Sequence, residues 1–260
     1  MPRNPFQFLS IIIFCIIALQ AQSIAETQKA FAEVEYAHAS LTNGFQDWND
    51  LNILNYFGKE GSRFIIETDY KNHFGKSAGV FGITYTQTYS LLWYQDFSAA
   101  VSTSNSIIPG SVLFTELHRK LLTDQSLVLG LGIGHNISQD PYSDTYGLFE
   151  AYYYLVGPIS FQAGLRVNGS SPGSVLTTRE FASINFLNER WDCYVRFETG
   201  REGYAVVGIN NFKNEFHSEN ETIQFRYFLN QEWGIGVHVD FYQSEIYNRN
   251  LVGLDFLIRY

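Results

Sequence analysis

The sequence predicts an all-β fold, a closed antiparallel transmembrane β-barrel of about 14 strands (12–16). Three observations carry this reading. Short segments with two-residue alternation of apolar and polar side chains recur along the chain, bounded by turn residues. Most reach about ten residues, the length a tilted strand needs to cross a bilayer, where a soluble strand averages roughly five to six. The joints between them alternate short and long, as periplasmic turns and extracellular loops do in outer-membrane barrels. A soluble sandwich or barrel, the competing all-β architecture, needs neither the length nor the asymmetry.

The first element is a leader. Arg3 precedes an apolar run from Phe8 to Leu19, and small residues at Ser23 and Ala25 precede Glu26. This predicts a cleaved signal peptide over 1–25 and one β-barrel domain over 26–260, the run being too short to span a bilayer as a helix. Phe14 is too bulky for the position before a lipidated Cys15. After cleavage Cys193 is the one remaining cysteine, so no disulfide within the chain is expected.

The strands are expected near 31–41, 47–57, 62–72, 78–89, 96–103, 110–121, 125–137, 143–156, 158–169, 175–188, 190–200, 220–230, 232–244 and 250–260. The ninth shows the pattern plainly: Ile159, Phe161, Ala163, Leu165 and Val167 share one face, and Ser160, Gln162, Gly164, Arg166 and Asn168 share the other. The seventh sets Leu127, Leu129, Leu131 and Ile133 opposite Val128, Gly130, Gly132 and Gly134. With both chain ends in the periplasm, the short joints fall at 58–61, 123–125, 156–158, 187–190 and 229–232. The longer ones fall at 103–110, 137–144, 168–174 and 201–219. In that last loop, 204–212 could instead form another strand. Trp93, Trp191 and Trp233 fall at short joints, where indole rings suit a membrane interface. The final segment alternates to the last residue. Phe256, Ile258 and Tyr260 read as the signal for the barrel-assembly machinery, on a strand that closes against the first because an open edge does not survive in lipid.

Putting the apolar faces toward lipid sends Arg63, Glu67, Asp69 and Lys71 of the third strand into the lumen. Arg166, Asp192, Arg196, Glu198, Arg226, Asp240, Asp255 and Arg259 follow from later strands, and Glu33 and Glu35 from the first. Charges of both signs inside a barrel have two readings. They form a salt-bridged plug, since buried charges need partners, or they line a water-filled pore and set its selectivity. About fourteen strands lies between filled small barrels and open porins, so both readings stand at this point.

Composition narrows the rest. Lys and Arg number 17 against 26 Asp and Glu; without Arg3 the balance is 16 against 26. That acidic balance excludes nucleic acid, which calls for a basic patch. No Cys/His cluster has zinc spacing and no phosphate loop runs from a strand into a helix, so neither cofactor nor metal is expected. His238 is expected to hydrogen-bond in the lumen beside Asp240. The outer-rim candidates for chemistry are His38, His73, His135 and His217, with Ser40, Asp47, Asp140 and Asp144 at similar height. No nucleophile–base spacing is evident among them, so no enzyme is expected. In "NGFQDW", Asn43 and Gly44 suit the positive φ angles of a tight turn. Asp47 is expected to cap backbone amides and Trp48 to anchor in the outer leaflet. In the alternative, Trp48 stacks on a glycan with Asp47 hydrogen-bonding beside it.

The stretch Ala32 to Gly75 resembles the opening of the YaiO-type outer-membrane β-barrel family. Its L-x-N-G-x-x-D-W core matches at Leu41, Asn43, Gly44, Asp47 and Trp48, and "NHFG" (Asn72 to Gly75) resembles the family's third-strand end. Ala99 to His135 is also similar, although "VLFTELHR" (Val112 to Arg119) replaces a fuller "LFPRWR"-like stretch. The likeness spans nearly the whole mature chain and is strongest in its first half. It implies a barrel in the outer membrane of a Gram-negative bacterium, and no particular reaction. Glycosyltransferase or tetratricopeptide modules beside some relatives point to exported glycan. The expected role is non-enzymatic, in passage or docking of a polar solute or glycan at the cell surface. The alternatives are a closed interaction barrel with ligand-recognising loops and an outer-rim lipid- or glycan-modifying enzyme. Outer-membrane lipid, lipopolysaccharide and a polysaccharide are the expected partners of a monomer.

Overall fold

The computed structural model describes residues 30–59, 61–104, 107–138, 142–155, 157–172, 175–202 and 215–260. The expected signal peptide and the alternative strand at 204–212 lie outside them. Fourteen strands follow in order: β1 (Phe31–Leu41), β2 (Trp48–Lys59), β3 (Ser62–His73), β4 (Lys76–Thr88), β5 (Trp93–Ser102), β6 (Ser111–Leu121), β7 (Leu127–Ile137), β8 (Ser143–Tyr154), β9 (Ile159–Ser171), β10 (Val175–Leu187), β11 (Trp191–Glu202), β12 (Phe216–Phe228), β13 (Trp233–Ser244) and β14 (Arg249–Arg259). Each pairs antiparallel with its sequence neighbours, and β14 pairs with β1, closing the barrel. Short connections make this order inexpensive, and closure leaves no strand edge to meet lipid.

β5 and β12 begin three and four residues earlier than the alternation indicates. β5 starts at Trp93 because Trp93, Tyr94 and Gln95 pair with Arg119, His118 and Leu117 of β6. β12 starts at Phe216 because Phe216 to Glu219 pair with Glu202 to Thr199 of β11. Cross-strand bonds, rather than side-chain pattern, set those ends.

The two faces separate cleanly in β14. Val252, Leu254 and Phe256 are exposed on the lipid side at 54%, 64% and 44%, whereas Leu257 and Asp255 on the lumen side are 0% and 4% exposed. The terminal Tyr260 exchanges both backbone bonds with Ala30, its N–H donating at 3.0 Å and its carbonyl accepting at 3.1 Å. Its ladder thus continues past the last assigned strand residue and completes the seam.

The periplasmic turns before β5, β11 and β13 share one chemistry. The side-chain oxygen of Ser90, Asn188 or Asn230 accepts the backbone N–H groups two and three residues ahead, the second belonging to Trp93, Trp191 or Trp233. Such side-chain-to-backbone turns release the chain straight into a strand, and here each delivers a Trp to the barrel rim. In the β6–β7 turn Asp124 accepts from the hydroxyl and N–H of Ser126, which hold its carboxyl below the usual range.

Trp191 and Trp233 are each 39% exposed on the outer wall, placing them at a membrane interface. In a variant retaining Trp191 as its sole tryptophan (W48F/W93F/W233F), a lipid-borne quencher near the headgroups should quench the fluorescence. Quenching by aqueous iodide alone would reverse the inside–outside assignment.

Candidate functional site

The lumen wall concentrates the polar chemistry. Fourteen strands spaced about 4.8 Å and tilted about 40° enclose a backbone cylinder roughly 28 Å across, so side-chain direction decides how much of it is filled. On β7 the lumen face is glycine at 130, 132 and 134. A Cβ there would stand 2.2 Å from a Glu116 oxygen, 2.8 Å from the Phe114 ring and 2.2 Å from the Tyr146 ring respectively. Side chains from β6 and β8 therefore lie flat over β7. Arg166 in turn lies 3.7 Å over the Tyr146 ring.

Three charged clusters follow round the wall. In the first, Arg226 of β12 contacts Glu33 of β1, Asp192 of β11 at 3.3 Å and Asp255 of β14 at 3.6 Å. Beside it, His238 of β13 stands 3.5 Å from Glu35 and 3.4 Å from Asp255. In the second, Arg179 reaches Glu198 at 3.2 Å and Glu202 at 3.1 Å, and Arg196 reaches Glu198 at 3.4 Å while lying 4.1 Å over Phe181. Glu202 also accepts from Ser218 and Tyr242. In the third, His118 lies 3.1 Å from Asp96 and 3.6 Å from Glu116. Glu150, 5% exposed, accepts from Tyr152 at 2.8 Å and Gln162 at 2.7 Å.

The remaining residues singled out from the sequence are more scattered. Glu67 and Asp69 accept from Asn52, and Lys71 lies 3.6 Å from Asp69. Arg63 is exposed near the periplasmic end. Asp240 pairs with Arg249 at 3.3 Å and Thr222 at 2.8 Å, so the expected His238–Asp240 pair is replaced by His238 with Glu35 and Asp255. Arg259 lies 3.3 Å over Phe228 and donates to the Glu189 carbonyl, away from Glu33 and Glu35. Arg179, Asp96, Glu116, His118 and Glu150 are not among the residues the sequence singles out, although strand parity alone puts each on a lumen face. Glu202 and Arg249 join the wall because β11 and β14 extend beyond the expected strands.

The "NGFQDW" motif sits at the outer mouth. Asn43 and Gly44 take φ of 62° and 77°, as a tight turn of this type requires. Asp47 accepts from the Leu41 N–H at 3.4 Å, and Asn43 donates to the Ile246 carbonyl at 2.6 Å. The Thr42 N–H donates to the Asn248 carbonyl at 3.0 Å and the Asn248 N–H to the Thr42 hydroxyl at 2.9 Å, which also tie the first loop to the last across the β1–β14 seam. Trp48 departs from both expectations. It is 7% exposed and faces the lumen, stacked on His73 at 4.0 Å with Arg249 4.9 Å from its ring centroid. Phe74 and Tyr247 pack edge-on against it. The β2 register, pairing Asn52 with Glu35, puts even-numbered residues inside. The indole therefore neither anchors in lipid nor offers a free face to a sugar. Burial in the same cluster pushes the Tyr247 phenol up.

Of the rim histidines, His73 is 2.7 Å from Asp50 beneath Trp48, His135 is 2.9 Å from Thr145, and His38 is 3.9 Å from Asp47. A groove of about 610 Å³ on the outer wall is lined by lipid-side Ile83, Phe97, Leu113 and Ile133; it opens toward lipid rather than to either aqueous side.

The YaiO membrane β-barrel domain matches residues 29–205, over two-thirds of the chain. The chain belongs to the YaiO family. The match covers β1 to β11 and ends before β12, β13 and β14, so it stops short of the nearly complete likeness expected. No functionally curated protein matches the sequence. Among solved structures this YaiO barrel is similar to the outer membrane protein Omp33 of Acinetobacter baumannii, with a TM-score of 0.54 and 12% identity over 89% of this chain and 99% of that one. It is similar to A. baumannii OccAB1, with a TM-score of 0.52 and 8% identity over 89% and 96%. A third is the anion-selective porin from Comamonas acidovorans, with a TM-score of 0.51 and 8% identity over 90% and 99%. At these identities the likeness establishes the fold. The chain is a Gram-negative outer-membrane β-barrel, and its structural neighbours include porins.

Proposed function

We propose that this YaiO barrel is a non-enzymatic channel that passes small polar solutes and favours cations. The observation that carries the reading is the direction and balance of the lumen charges. The ion pairs of the three clusters join strands no more than three apart round the ring, so they run along the wall rather than across the bore. Carboxylates lead in two of them. Arg226 meets Glu33, Asp192 and Asp255, and Asp96, Glu116 and Glu150 gather about the one imidazole of His118, Glu116 and Glu150 joined to each other by a hydrogen bond. Fixed negative charge in a narrow water-filled pore concentrates cations and raises the barrier to anions.

Single-channel recording of the purified protein in a planar bilayer tests this, after boiled and unboiled gel mobility has confirmed folding. Steady conductance is expected, with a reversal potential in a KCl gradient that marks K⁺ as the more permeant ion. The double variant D96N/D192N, at the more exposed lumen carboxylates, should lower that preference. Current blockade by added polysaccharide would extend the solute class to glycans. A folded barrel without conductance would overturn the channel and favour the closed interaction barrel.

A further inference from the structure

The β13–β14–β1 wall holds a second feature that conduction does not require. One imidazole nitrogen of His238 and one oxygen from each of Glu35 and Asp255 lie within 4.8 Å of one another. Asp255 is fully covered at its side chain, and its Oδ1 has no hydrogen-bond partner; nor does the buried Nδ1 of His238, 3.4 Å away. At that separation neither makes a good hydrogen bond, whose usual length is about 2.7–3.2 Å. The ring is set there by Gly253, where a Cβ would stand 1.9 Å from the imidazole.

Charge points the same way. Glu33, Glu35, Asp192 and Asp255 converge with one guanidinium, Arg226, and one imidazole. Carboxylates thus outnumber the cationic groups in direct contact with them, and buried charge of one sign requires a counter-charge. We propose that Glu35, His238 and Asp255 bind a divalent transition metal of the Zn²⁺ type. One nitrogen and two oxygens suit such borderline ions, with bonds of about 2.0–2.2 Å. Glu35 faces Nε2 at 3.5 Å and Asp255 faces Nδ1 at 3.4 Å. Binding through Nδ1 therefore swings the Glu35 carboxylate toward Asp255, and ligand atoms up to 4.8 Å apart close to the roughly 3.3 Å of a tetrahedron. The ion joins β13 to β1 over β14 and so staples the barrel at its closing seam. This site does not depend on the channel reading.

Zn²⁺ titrated calorimetrically into chelator-stripped barrel should show one saturable site. E35Q and H238Q should each weaken it at least tenfold, and H217Q, at the outer end of β12, should leave it unchanged. Zn²⁺ should also raise the temperature at which the barrel loses its fast gel migration, by the linkage of binding to folding, and Mg²⁺ should not. Glu35 is the most exposed of the three, at 25% of its side chain, so E35Q keeps the test decisive should H238Q fail to assemble. No saturable Zn²⁺ site in the wild type, or affinity unchanged in E35Q, would overturn the proposal.

Discussion

Arg226→Met should destabilise the barrel by about 3 kcal/mol, read as a lower urea midpoint for protein folded into lipid vesicles. The guanidinium spans from β12 to β11, β14 and β1, and two of its three carboxylate partners, Glu33 and Asp255, are 4–5% exposed or less. Methionine preserves volume and removes the charge, so these partners are left desolvated and facing one another. Removing one member of a buried ion pair costs about 3–5 kcal/mol. The lower end applies here because Arg226 itself is 20% exposed toward the lumen. Glu33→Gln should cost less, since Arg226 keeps two carboxylates. The double variant should fall short of the sum of the singles, as residues sharing one network do. A cost below about 0.5 kcal/mol for Arg226→Met would mean that lumen water already solvates the carboxylates.

That cluster also marks where the sequence stops being informative. Alternation is a local property, so the lipid and lumen faces of β9 or β14 can be read from their own residues. Joint parity likewise placed both chain ends on one side. The partner of Arg226 is a different matter: Glu33 lies 193 positions away, and only closure of β14 on β1 brings it near. β2 resists even the local reading. In "WNDLNILNYF" each face mixes polar and apolar residues, so period two does not choose a side, and Trp48 is oriented by the register against β1. The glycine face of β7 was visible as a pattern, but the rings and carboxylates that lie on it come from β6 and β8. A further signal stood in plain view: Ser-x-x-Trp at 90–93 and Asn-x-x-Trp at 188–191 and 230–233 encode the turn that launches three strands.

Trp48→Ala should cost about 3 kcal/mol on the same urea scale and open the outer mouth. The indole is the centre of a cluster formed by Ala37, Ala39, Tyr242, Tyr247 and Leu251, with Phe45, Phe74, Leu41 and Ile246 against it. Truncating a buried aromatic to Ala loses its transfer energy and leaves a cavity, typically about 3–5 kcal/mol together. The site lies at the mouth, where neighbours can relax and water can enter, so the low end is expected. Trp48→Phe should cost distinctly less, because the indole N–H makes no hydrogen bond and the ring stack on His73 survives. Loss of the ring removes the indole wall against Arg249 and Tyr247 at the mouth, while Asn43 and Phe45 still hold the first loop to the last, so single-channel conductance should rise. A lipid-anchoring or sugar-stacking Trp48 predicts otherwise. A lipid anchor would cost little and leave conductance unchanged, and a sugar platform would lose polysaccharide blockade with stability intact. A large stability loss together with a wider mouth is the signature of a residue that clamps the seam from inside.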